Sequence, residues 1–279
     1  MSIAAQTAQV GDEQRTAFAR DGVVKLENVI APQWLDALRE GVAENLAVPG
    51  PYARFYTPEG AGGFFFGDYC NWQRIDGYRR FVFESNAASI AAQLMQSQKV
   101  NFFHEHVLVK EPSTAERTPW HHDQPYWVVD GAQVCSLWIP LDPVPRDIAV
   151  EFVGGSHRSG AWYAPKSFAT EEDHPGNEGE TVPDIDANRD AYNLLGWALE
   201  PGDCIAFHAR TVHGAPGNQS KSARRRAVAM RFTGDDARFV RRDGYMSPPF
   251  EDVTLATGAQ MDCPDFPVLW RDGDRVPPV

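Results

Sequence analysis

Hydrophobic positions change period along this chain, and the change divides it. Up to about residue 97 helical spacing dominates. Asp12 to Arg20 reads as a helix that Gly22 stops, and Val23-Val24-Lys25-Leu26 as a short strand. A second helix opens near Pro32, a favourable first-turn residue, and carries Trp34, Leu35, Leu38, Val42 and Leu46 as an apolar stripe. Residues 49–72 have no clear period, with Gly60-Ala61-Gly62-Gly63 before Phe64-Phe65-Phe66, and read as loop and lid. Residues 79–97 look helical. From Val100 onward the pattern breaks into short β-prone runs: 100–110, 120–129, 133–141, 149–153, 197–199, 203–207 and 226–233.

Short strands separated by turns at this density predict a mostly β protein with flanking helices, a double-stranded β-helix of the jelly-roll, cupin-like barrel type. The expected organisation is a single domain over 1–279: a helical layer at about 12–97, a barrel at about 100–234 and a C-terminal arm at 235–279. An acidic insertion at about 159–193, Glu171-Glu172-Asp173 through Asp190, is expected to leave the barrel and could fold over a pocket. The arm, with Pro248-Pro249, Pro264, Pro267 and Pro277-Pro278, should run irregularly across the surface.

A formal net charge of −12 disfavours nucleic acid and anionic membranes as partners, since both demand a positive field. No apolar run approaches the roughly 18 residues of a membrane span. Met1 to Asp12 lacks the basic start and apolar core of a leader. Cys70, Cys135, Cys204 and Cys263 are far apart and form no C-x-x-C pair, so a reducing, cytoplasmic setting is expected. A small-molecule substrate is the expected partner, and the oligomeric state stays open.

The chemistry lies in the histidines, four of which fall between His104 and His122. In Trp120-His121-His122-Asp123, alternation along a strand puts His121 and Asp123 on one face and His122 on the other. An imidazole and a carboxylate side by side want a third ligand. Two histidines and one carboxylate form the facial set that leaves three positions open on non-haem iron(II). His213, before Gly214 and at the end of a β-prone run, is the leading candidate, with His208 its rival. A dozen residues further on, the arginines at 224–226 offer a guanidinium, whose fork matches a carboxylate.

These segments resemble the phytanoyl-CoA dioxygenase family of iron(II)/2-oxoglutarate oxygenases. Phe18-Ala19-Arg20-Asp21-Gly22-Val23-Val24-Lys25-Leu26-Glu27-Asn28-Val29 is similar to the family's N-terminal signature, and Thr118-Pro119-Trp120-His121-His122-Asp123-Gln124-Pro125-Tyr126-Trp127 to its metal motif. Leu137 to Asp142, Gly154-Gly155-Ser156-His157, Pro201-Gly202-Asp203 and His213-Gly214 through Arg225-Arg226-Ala227 follow in the family's order. Three departures stand out. Ala215 replaces a frequent Ser or Thr, Asp147-Ile148 replaces an Asn-Gly turn, and Gly154-Gly155 replaces Pro-Gly.

The resemblance implies that His121, Asp123 and His213 bind Fe(II), that an arginine holds the distal carboxylate of 2-oxoglutarate, and that O2 is the second cosubstrate. Arg225 is assigned, because Arg225, Ala227 and Ala229 would share an interior strand face; a one-residue slip would substitute Arg224 or Arg226. Trp138 and His106 match positions that line the cosubstrate pocket, and Trp127 and Tyr126 are placed at the substrate. The expected activity is hydroxylation of a small organic molecule with release of succinate and CO2. The alternative is a catalytically silent metal-binding β-barrel that serves as small-molecule sensor or scaffold. A coenzyme A thioester would want a basic mouth, and the acidic insertion argues instead for a small metabolite.

Overall fold

The computed structural model describes residues 9–278; the segment 1–8, most of the stretch in which no leader is expected, and Val279 lie outside them. Helix α1 (Asp12–Asp21) ends where Gly22 takes φ 74°, and strand β1 (Val23–Leu26) follows at once. Only glycine fits at 22, because a Cβ there would lie 2.4 Å from both His157 and Thr211. Helix α2 (Pro32–Ala47) buries Leu35, Leu38 and Val42.

Strands β2 (Arg54–Phe55) and β3 (Phe65–Tyr69) occupy the segment expected to be loop and lid. The β3 strand is buried throughout, so no exposed polar face alternates with a buried one in its sequence. The helix expected at 79–97 is two, α3 (Asp76–Glu84) and α4 (Ala87–Met95), broken where Ser85 turns to extended backbone.

The β-prone half contains β4 (Lys99–Lys110), β5 (Thr118–His121), β6 (Val129–Asp130), β7 (Val134–Pro140), β8 (Glu151–Val153), β9 (Leu194–Leu195), β10 (Cys204–His208), β11 (His213–Ala215) and β12 (Arg225–Thr233). The run expected over 120–129 is interrupted by a 3-10 turn at Gln124–Tyr126. No strand forms at 197–199; Leu199 makes a single bridge to Val144 instead. The C-terminal region is less irregular than its prolines suggest, for β13 (Arg238–Phe239) pairs with β6, and β14 (Val268–Arg271) joins β4 and β15 (Asp274–Arg275).

These strands do not close into a jelly-roll barrel, and that expectation is corrected. They form an open nine-stranded sheet in the order β1-β10-β7-β12-β4-β14-β15, with β3 also on β4 and β2 on β3. A separate four-stranded sheet runs β5-β11-β8-β9, and a two-stranded one β13-β6. The chain is a mixed helix-and-sheet protein. Alternation and turn spacing announce strands, but they do not say which edges bond, and here the edges of the sheets stay apart.

The helices pack on one face of the large sheet, where Leu38, Phe81 and Ile90 meet Leu137, Val228, Met230 and Phe232. Its other face meets the small sheet through Trp138, Phe152, Ile205, Phe207, Ala227 and Ala229. A bulge controls which residues of β4 face that way. Arg231 pairs with His104 but Phe232 with Phe102, so Phe103 is the extra residue and the side-chain parity flips. Val100 and Phe102 join the helical core, whereas beyond the bulge Val107 and Val109 do so. His104, His106, Leu108 and Lys110 turn to the cavity between the sheets.

Close packing of α2 on α3 gives a test. A Cβ on Gly41 would lie 2.4 Å from the buried Tyr78 ring. Helix propensity favours Gly41→Ala by about 1 kcal/mol, but overpacking a rigid core costs roughly 1–3 kcal/mol. The variant should therefore be the less stable in urea unfolding; a gain in stability would show that this contact is loose.

Candidate metal and cosubstrate site

His121 ends β5 and His213 begins β11, and the two are paired residues of neighbouring strands, so their rings share a face. Their centroids lie 4.3 Å apart. Asp123 arrives differently from expectation. The strand has already stopped, and Asp123 adopts helical backbone with φ −75° at the head of the 3-10 turn. Its N–H donates to the Ala209 carbonyl at 2.8 Å, which fixes the turn. The carboxylate still lands beside the histidines, with Oδ1 3.5 Å from His121 Nε2 and 3.9 Å from His213 Nε2.

The donor set suits a metal. One ligand atom from each of the three residues lies within 4.8 Å of the other two, and all three residues are buried. His121 Nδ1 is 2.8 Å from the Pro119 carbonyl and His213 Nδ1 2.9 Å from that of Thr211. A carbonyl only accepts, so each Nδ1 carries the proton and each Nε2 presents a lone pair toward Asp123. Burial, and then the neighbouring His121, depress the His213 pKa to about 3, so its imidazole is neutral as a ligand must be. Burial alone would raise the pKa of Asp123, but the neighbouring Arg231 guanidinium outweighs it and holds the carboxylate ionised.

The site opens into a cavity of about 300 Å3 between the sheets. Trp138, His106, Tyr126, Trp127 and Arg225 all line it. Arg225 is 5% exposed, donates to the Ile148 carbonyl, and keeps its charge although burial lowers its pKa to about 10. Its neighbours are engaged elsewhere. Arg226 binds Asp142 through Nε at 2.9 Å and Nη2 at 2.7 Å, and Arg224 lies 3.4 Å from Glu111. His208 is outside the cavity, its ring 5.2 Å from that of His157 and tilted to it by 44°. Phe65 and Tyr69 line the cavity, whereas Phe66 and Trp72 belong to the helical core.

Lys166, Ser167, Phe168, Ala169 and His174 of the acidic segment line the cavity. His122 faces away from the metal triad, and its Nε2 accepts the Tyr163 N–H at 2.9 Å, tethering the insertion. Lys166 N–H donates to Tyr126 Oη at 2.6 Å, and the Phe168 ring stands 4.8 Å from that of His121. The sequence reading missed Arg231, Lys110, Tyr56 and Phe168, which also line the cavity. Arg231 had a signal, since it continues the 225, 227, 229 face of β12. The Phe168 position had none, because the insertion has no period.

With this geometry in view, comparison with known proteins is decisive about kinship. The model of the family "Phytanoyl-CoA dioxygenase (PhyH)" matches residues 18–227. The chain belongs to the phytanoyl-CoA dioxygenase family. A probable phytanoyl-CoA dioxygenase of Caenorhabditis elegans is 23% identical over 163 residues, 56% of this chain; the match spans about half, 50%, of that relative's length. Among solved structures, the non-haem α-ketoglutarate-dependent carbocyclase SnoK of nogalamycin biosynthesis superposes with a TM-score of 0.71 at 22% identity, covering 93% of this chain and 96% of SnoK. The epimerase SnoN of the same biosynthesis gives 0.71 at 21% identity over 93% and 98%. EctD from S. alaskensis, solved with 2-oxoglutarate and 5-hydroxyectoine, gives 0.68 at 18% identity over 96% and 88%. At these identities the likeness is one of fold. The family's two-histidine, one-carboxylate site is present here as His121, Asp123 and His213.

A divalent metal that binds only the folded chain should stabilise it, by about 2.7 kcal/mol at a hundredfold excess over its dissociation constant. Anaerobic Fe(II), or Co(II) as a substitute, should raise the melting temperature of the wild type and leave His213→Ala unmoved. An equal rise in both would place the metal elsewhere.

Proposed function

We propose that this protein is an iron(II)- and 2-oxoglutarate-dependent dioxygenase that hydroxylates a small organic substrate. The observation that carries the reading is the convergence of the metal triad and a buried, charged Arg225 in one cavity. When bound, iron and 2-oxoglutarate supply the oxidising chemistry: O2 delivers one oxygen to succinate as CO2 leaves, and the other to the substrate as hydroxyl. His121, Asp123 and His213 would hold the metal, through Nε2 of each histidine and one carboxylate oxygen.

Arg225 anchors the distal carboxylate of 2-oxoglutarate with its guanidinium fork. Trp138 and His106 bound that cosubstrate, and Trp127 and Tyr126 bound the substrate. The hydroxyl absent at Ala215 has a substitute nearby, since Thr118 is paired with Ala215 across β5 and β11 and lines the same cavity. Phe168 over His121 and the Tyr126–Lys166 hydrogen bonds keep bulk water off the reacting atoms. All four cysteines are free, which fits a reducing, cytoplasmic setting. We read the chain as one domain, because β14 near its end pairs with β4 at the centre of the large sheet.

Iron-loaded protein should convert 2-oxoglutarate to succinate when air is admitted, without added substrate. His121→Ala should abolish this. Arg225→Ala should raise the KM for 2-oxoglutarate roughly 30-fold or more, the equivalent of about 2 kcal/mol for truncating one side of a buried charge pair. Wild type that binds iron yet forms no succinate would favour a silent binding protein instead.

A further inference from the structure

Besides Arg225, β12 brings a second arginine into the cavity, and the proposed reaction gives its guanidinium no ligand to bind. Arg231 lies on the same face of β12 as Arg225, lines the cavity and is 6% exposed. Its Nη2 is 3.4 Å from His106 Nδ1 and 3.8 Å from Asp123 Oδ2, both long contacts. Its guanidinium sits 4.9 Å from the centroid of Trp127. Nε and Nη1 have no hydrogen-bond partner, and neither have the nearby His104 Nδ1 and His106 Nε2. A guanidinium has five N–H donors, and leaving buried donors unanswered is costly, so this cluster is built for an acceptor that a ligand supplies.

Charge points the same way. The chain carries a net −12, yet its cavity is lined by Arg54, Lys110, Lys166, Arg225 and Arg231, against Asp123 as the single carboxylate among the described lining residues. His104 and His106 are neutral, because burial and then Arg231 depress both imidazoles. In the working complex the two charges of iron(II) match the two carboxylates of 2-oxoglutarate. Asp123 matches one of the two β12 arginines that face the cavity, and the other is left over.

We infer that Arg231, flanked by His104 and His106, binds a carboxylate carried by the substrate, with Trp127 and Tyr126 against the adjoining apolar part. This rests on the dioxygenase reading above. The guanidinium fork takes a carboxylate in two parallel hydrogen bonds, and the aromatic face behind it holds the cation in place. The arrangement sets the substrate's carboxylate beside Asp123, so the carbon to be oxidised is held close to the metal by a group that does not react.

The test uses iron-loaded protein with saturating 2-oxoglutarate, kept anaerobic, and calorimetric titration with matched probes: phenylacetate and 3-phenylpropanoate against their primary amides. The acids should bind at least tenfold more tightly than the amides. Arg231→Met should erase that preference, and Arg231→Lys should retain part of it. Equal binding of acid and amide by wild type, or no binding of the acids, overturns the inference while leaving the dioxygenase reading intact. So does an Arg231→Met protein that keeps the acid preference but loses tenfold in 2-oxoglutarate affinity, since the site would then serve the cosubstrate. Wild type that binds no 2-oxoglutarate overturns both readings. Should Arg231→Met fail to fold, the wild-type acid-to-amide ratio and the lysine variant still decide.

Discussion

Everything in the cavity depends on the register of one strand. β12 lies between β4 and β7 within the large sheet, paired with both along most of its length. Its residues alternate between two opposed demands: Val228, Met230 and Phe232 fill the helical core, while Arg225, Ala227, Ala229 and Arg231 face the other sheet. A slip of one residue would bury arginine among leucines and send the apolar side chains to the metal. The register is held from both sides. The apolar face strongly prefers the helices, and the Arg226 fork on Asp142 pins the outward side beside β7. The small residues Ala227 and Ala229 then leave space between two guanidinium groups, and that space is part of the site.

Polar groups are expensive to bury, and this cavity buries many. Asp123 keeps its charge against burial because the Arg231 guanidinium stands beside it. The two histidines point their protons at backbone carbonyls, so their free lone pairs converge on a point near the carboxylate. Such a constellation is satisfied by a cation at that point more fully than by its own members. The core around it supplies rigidity: Phe152 and Phe207 hold the His213 ring on one side, and Phe168 covers His121 on the other. The metal site is thus fixed by two neighbouring strands of the small sheet and by a turn that departs from strand geometry at the residue that matters.

How much of this was legible varies with the kind of information each feature needs. The His121–Asp123 pairing was visible as a spacing, yet strand alternation was the wrong reason for it, because Asp123 is already in a turn. Arg225 was legible as one of three, and Arg231 was overlooked although the same alternation reaches it. The face of β4 was not legible at all. Val100 and Phe102 share parity with His104 and His106, and only the Phe103 bulge, a tertiary feature, separates them. β3 was hidden because a strand buried on both faces has no period. The closed barrel is the expectation furthest from the structure: strand-like runs are visible in a sequence, but closure depends on which edges bond, and no residue pattern records that.

The acidic insertion shows why charge read along a sequence differs from charge in space. Glu171-Glu172-Asp173 suggested a mouth that repels anions, yet the residues that reach the cavity from this segment are Lys166, Ser167, Phe168, Ala169 and His174. Several of its carboxylates are engaged with basic side chains, Asp173 near Lys166 and Asp186 with Arg117 and Arg189. The outer acids compensate one another's basic neighbours in high dielectric, where their field is screened within about 8 Å. The inner cations lie in a low-dielectric wall, where an equal charge acts far more strongly. An anion at the metal therefore feels Arg225 and Arg231 more than the whole acidic exterior, and a chain with a net negative charge can hold a site built for carboxylates.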